Sequence, residues 1–114
     1  MEKFIKNLEH GKILSLTEAV DYMPGQIVSK TLAQNKHRSL TLFAFDKGEE
    51  ISAHESDGDA MVIALDGTGK VTIEDTEYLL SGGDTIVMPS KTPHAVYAQE
   101  RFKMLLIVIF PENR

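Results

Sequence analysis

From Gln26 onward the chain is divided into short runs of Val, Ile, Thr, Phe and Leu, each closed by Gly, Pro, Asp or Asn. This is the punctuation of an all-β domain, because β-branched and aromatic side chains suit a pleated, half-buried strand and the closing residues suit turns. The pattern predicts strands over 26–32, 39–45, 51–54, 60–65, 70–74, 76–80, 84–88, 95–98 and 101–110. Asp46-Lys47-Gly48, Asp66-Gly67-Thr68-Gly69 and Ser81-Gly82-Gly83-Asp84 read as hairpin turns, since their residues tolerate positive φ or bond their own backbone. The stretch before Gln26 is less regular. There Leu16-Thr17-Glu18-Ala19-Val20 reads as a turn of helix entered through a Ser or Thr cap, and Pro24-Gly25 ends it. Many short antiparallel strands bury one face each in a sandwich or a barrel, and the strand pattern does not choose between the two.

At 114 residues the chain suits one domain, divided here into an N-terminal extension over 1–25 packed on the outside of a β unit over 26–114. A formal net charge of -5 repels phosphate backbones and anionic lipid, so neither nucleic acid nor membrane is expected as a partner. The absence of cysteine removes disulfides, thiolate metal sites and cysteine nucleophiles, and suits a reducing compartment such as the cytoplasm. Residues 1–12 mix Glu2, Lys3, Lys6, Asn7 and Glu9 among their apolar residues, which is not the continuous apolar run of a signal peptide. The apolar run 104–110 falls well short of the roughly 20 residues that a membrane-spanning helix needs, and reads as a buried strand.

Two spaced motifs carry the functional argument. Gly48, His54 and Gly67 stand at the spacing G-x5-H-x-H-x3,4-E-x6-G, and Gly83, Pro89 and His94 at the spacing G-x5-P-x-G-x2-H-x3-N. Together they resemble the two motifs of the cupin superfamily, joined by the short hairpin of its small bacterial members, over about 26–110. The resemblance implies an all-β fold, the double-stranded β-helix or jelly-roll barrel, and often a homodimer. Strand alternation puts His54, Ser56 and Ala60 on one face if pairing continues past Asp57-Gly58. In the family's arrangement the second-motif histidine, here His94, meets them from a neighbouring strand.

The departures from the motifs matter equally. Ser56 stands at the family's second histidine, Ala60 (or Met61 on the longer spacing) at its glutamate, Lys91 at its second-motif glycine and Ala98 at its asparagine. His54 and His94 remain as candidate metal ligands, and a β-bulge that turned Asp59 inward would add a carboxylate. A serine hydroxyl is a weak ligand and alanine none, whereas stable sites commonly use three or four protein donors. If a divalent metal is held, imidazole suits Zn, Fe, Ni and Cu alike, and Mn is not separable from them. Tyr97, Met88, Phe43 and Phe45 read as core, and His10 and His37 as surface. The leading reading is a pocket for a small-molecule ligand lined by His54, Ser56, Ala60 and His94. Two others stay open: a metal-dependent oxygenase, isomerase or decarboxylase acting on a small polar substrate, and a stand-alone ligand-sensing module.

Overall fold

The computed structural model describes residues 2–113, so Met1 and Arg114, at the ends of the expected extension and β unit, lie outside the described residues. A 3-10 turn at Leu16–Glu18 precedes seven strands: β1 Ile27–Gln34, β2 Arg38–Phe45, β3 Glu50–His54, β4 Asp59–Ile73, β5 Thr76–Ser81, β6 Thr85–Met88 and β7 His94–Ile109. All pairings are antiparallel, and the central pair is β4 with β7. On its other edge β7 pairs first with β3 and then with β2, while β4 pairs with β6 and then with β5. β1 extends the sheet beyond β2.

Nine segments were expected and seven strands form, because 60–65 joins 70–74 and 95–98 joins 101–110. Asp66-Gly67-Thr68-Gly69 is therefore not a hairpin turn but an irregularity inside β4. Its pairing with β7 runs Ala64↔Met104 and then Asp66↔Lys103, which leaves Leu65 as an extra residue. One extra residue reverses which parity faces inward. Ala60, Val62 and Ala64 point into the core before it, and Gly69 and Val71 after it. A single strand thus lines two successive parts of the barrel.

The inner cluster takes residues from opposite walls: Phe45 of β2, Val62 and Val71 of β4, Leu80 of β5, Met88 of β6, and Val96, Phe102 and Met104 of β7. Phe43, Phe45 and Phe102 form a tilted aromatic row, with successive centroids 6.0 and 5.9 Å apart. A second cluster lies outside the sheet, where Leu8, Leu16, Ala19, Val20 and Tyr22 cover Leu32, Leu42, Ala44 and Leu105. β2 is consequently buried on both faces. The 3-10 turn lacks the expected side-chain cap: Ser15 occupies the cap position without a side-chain bond, and backbone bonds and the packing of Leu16 and Val20 hold the turn instead.

Polar contacts pin this segment to the barrel. The Lys6 N–H donates to the Leu32 carbonyl, and Asn7 Nδ2 to that of Thr31, both at 2.7 Å. Lys103, only 8% exposed, donates to the Thr17 carbonyl at 2.6 Å and sits 4.7 Å from the centre of the Tyr22 ring. A buried ammonium needs such partners to offset its lost hydration. The Tyr22 hydroxyl donates to Asp66 at 2.6 Å, and burial first and then that carboxylate push the phenol above its ordinary pKa.

Candidate functional site

The site begins with another irregularity. β3 pairs with β7 as Glu50↔Tyr97 and Ile51↔Val96, but then as His54↔His94, which leaves one more residue on β3 than on β7. In a regular strand Ile51 and His54, three apart, would face opposite sides. The extra residue in Ser52-Ala53 turns both toward one cavity, which the half-buried Ile51 and the exposed His54 both line. The paired histidine rings meet edge to face, with centroids 4.5 Å apart and planes at 71°.

Both rings are oriented by the backbone. His54 Nδ1 lies 2.9 Å from the Ser52 carbonyl and His94 Nδ1 lies 3.1 Å from that of Thr92. A carbonyl oxygen can only accept, so each Nδ1 carries the proton and each neutral ring presents Nε2 as a lone pair. His94 is 3% exposed. Desolvation by this burial lowers its pKa, and charge on His54 lowers it further, against a smaller opposing effect of the Thr92 carbonyl. Neutral imidazole is therefore the favoured form of His94 near neutral pH.

The cavity measures about 420 Å³. Its walls are apolar, with Phe43, Met88, Met104, Leu106, Val108 and Phe110 among them, and its polar groups are His54, Glu55, Ser56, Asp57 and His94. Ser56 and Ala60 also line it, so the structure brings together the four expected pocket residues. Ser56 does so from a loop, because β3 ends at His54 and pairing does not continue past it. Its Oγ accepts from the Gly58 N–H at 3.1 Å and its carbonyl from the Lys91 N–H at 2.6 Å. Ala60, 2% exposed, is part of the inner cluster.

Asp59 does not line this cavity; its carboxylate accepts from the Ser90 N–H at 2.9 Å. Among the described residues no group of three or more His, Asp or Glu side chains is gathered to hold a metal ion. Lys91 has φ of 57°, a left-handed conformation that glycine adopts without strain, which explains physically why the motif carries glycine at this position. Tyr97 lies outside the lining, with the Lys70 ammonium 5.2 Å from its ring centre. Of the expected surface histidines, His10 is exposed, whereas His37 is half-buried and its carbonyl accepts from the Phe110 N–H at 2.9 Å.

Leu106, Val108 and Phe110 line the cavity, whereas the run 104–110 reads in the sequence only as a buried strand. The signal was in the parity: Met104, Leu106 and Val108 continue the inward even-numbered series of Val96, Ala98 and Phe102.

Comparison with known proteins places this geometry. A family model described as a cupin domain matches residues 41–110. A conserved protein of unknown function from Streptococcus pyogenes is similar at 47% identity, over 97% of this chain and 97% of that one, with a TM-score of 0.95. A cupin superfamily protein from Desulfitobacterium hafniense is similar at 32% identity, over 94% and 98%, with a TM-score of 0.90. A cupin 2 conserved barrel domain protein from Leptotrichia buccalis shares 40% identity over 84% of this chain and 47% of its own, with a TM-score of 0.82. The search of curated proteins gives no match. With both motif histidines lining one cavity of the barrel and two of these relatives covering 97% and 94% of its length, the chain belongs to the cupin superfamily, as a conserved-barrel domain of the cupin 2 type.

Proposed function

We propose that the barrel is a small-molecule-binding domain whose ligand enters the apolar cavity and is oriented by His54 and His94. The carrying observation is the joining of an apolar enclosure of about 420 Å³ to a polar end set by two backbone-oriented imidazoles. Apolar walls with a few convergent polar groups are the common chemistry of small-ligand sites. The test is a titration with small aromatic probes followed by NMR. Shifts should map to Phe43, Met88, Met104 and Phe110, and Met104→Trp, which fills the cavity, should abolish them. Probes that bind equally well to wild type and to the filled variant would refute the reading.

The family implies a metal, and the donor set decides how far that carries here. Two imidazoles fall short of the three or four protein donors of a stable mononuclear centre, Ser56 Oγ is engaged by the Gly58 N–H, and Ala60 offers no donor. The residues do not fit a resident four-ligand ion. A second reading, favoured by the two Nε2 lone pairs, is a loosely held divalent ion completed by a chelating ligand. It would bring metal-dependent turnover of a small polar substrate back into play, and metal titration of wild type against His54→Ala and His94→Ala tests it.

A second copy of the chain is the proposed macromolecular partner. Leu40, Ile107, Met61 and Val87 form one cross-strand row on the outer face of β2, β7, β4 and β6, with Met61 and Val87 exposed. Among the described residues no helix is long and apolar enough to cross a membrane. The cysteine-free composition accords with a cytoplasmic location.

A further inference from the structure

The hydrogen-bonding character of the polar end restricts the ligand further, granted that the cavity is a binding site. Both Nδ1 atoms are turned to the Ser52 and Thr92 carbonyls, so each ring in its neutral form offers Nε2 as an acceptor and no further donor. His94 is only 3% exposed, and with its Nδ1 turned to the backbone its Nε2 is the ring nitrogen left for a ligand in the cavity. The loop after His54 adds the acidic residues Glu55 and Asp57 to the same lining. Among the described lining residues there is no Lys or Arg. Ser56 Oγ, already accepting from Gly58, is the one hydroxyl there.

An end in which acceptors and acidic residues outnumber the single Ser56 O–H donor disfavours carboxylates and phosphates and attracts a group that donates several hydrogen bonds. The remaining walls, from Phe43 to Phe110, require an apolar body. We infer that the ligand is a primary amine with an aromatic or branched aliphatic body, its ammonium group donating to the two Nε2 atoms and facing the carboxylates of Glu55 and Asp57. An ammonium carries three donors, which suits two imidazoles and one carboxylate; a carboxylate head would leave both lone pairs unmet and add a like charge.

The test uses three probes with the same body, phenethylammonium, hydrocinnamate and ethylbenzene, titrated into the full chain in EDTA-containing buffer. The ammonium should bind at least about tenfold more tightly than ethylbenzene, and hydrocinnamate more weakly than either. Glu55→Gln combined with Asp57→Asn should lower ammonium affinity several-fold and leave ethylbenzene unchanged. Hydrocinnamate binding as tightly as the ammonium would overturn the inference. Equal binding of all three would overturn it while leaving the pocket reading intact, and no binding of any would remove both. Nitrogen NMR of the histidine rings gives a ligand-free readout: the Nδ1–H form is expected for both rings, and an Nε2–H form in either would sink the argument.

Discussion

Gly48 and Gly67, two of the motif glycines, both have positive φ, at 86° and 72°, yet they occupy different surroundings. A Cβ on Gly48 would meet nothing within 4 Å, whereas one on Gly67 would fall 1.5 Å from the Arg101 carbonyl oxygen. Gly48→Ala therefore carries only the left-handed conformational cost, about 1–2 kcal/mol. Gly67→Ala adds a forced displacement of β7 backbone at the point where β4 changes its inward parity, about 1–3 kcal/mol more by analogy with overpacked cores. At about 2.1 cal/mol/K per residue, a chain of this length loses about 4 °C of melting temperature per kcal/mol. The expected losses are thus about 4–8 °C for Gly48→Ala and about 8–20 °C for Gly67→Ala. Thermal melts followed by circular dichroism measure both, with refolding checked on cooling. Melting temperatures within about 2 °C of each other would show that the carbonyl contact does not constrain Gly67, and the reasoning would fail.

Three further outcomes are expected. His94 has a folded-state pKa below its unfolded value because of burial, so the unfolded chain binds the extra proton; stability is full above about pH 6.5 and declines as pH falls toward the lowered pKa. Urea melts on both sides of that midpoint should show the decline in wild type and not in His94→Gln, and an equal slope in both would reject it. Restoring the motif donors with Ser56→His and Ala60→Glu should create tight divalent metal binding, visible as a stabilisation of about 2.7 kcal/mol at a hundredfold excess over Kd, reversed by EDTA. A melt insensitive to metal would mean that these positions do not converge. Finally, sedimentation should show a dimer that Val87→Lys with Met61→Lys dissociates, and a wild-type monomer at every concentration would refute the outer-row interface.

Strand existence was readable because local chemistry decides it: Val-Ile-Thr-Phe runs and Gly-Asp turns identify β1, β2, β5 and β6 nearly in place. What escaped was decided by a partner strand. Asp66-Gly67-Thr68-Gly69 has the composition of a hairpin turn, yet β7 pairs with both of its flanks and keeps β4 continuous, with Leu65 as the extra residue. The same holds at the site. Alternation alone groups His54 with Ser56 and Ala60, but the structure reaches that grouping through a bulge at Ser52-Ala53 and a loop at Ser56, neither of which has a sequence signature. The tautomers of the two rings, fixed by the Ser52 and Thr92 carbonyls, depend on main-chain oxygens, which have no residue code to read.

The two motif positions that differ from the metal-binding pattern are not left as gaps. Ser56 uses its hydroxyl to hold Gly58 and its carbonyl to hold Lys91, so it closes the loop that follows His54. Ala60 packs at 2% exposure beside Met88 and Val108, its neighbours in the β6 and β7 pairings. A carboxylate there without an ion would lose hydration with no cation to compensate, a cost of several kcal/mol. Alanine removes that requirement, and the wall is stable with no ion to neutralise it. The barrel thereby sets two imidazoles edge to face with no carboxylate at position 60 beside them. On the proposed reading, selection by this site would rest on cavity shape and on which ligand atoms can donate to Nε2.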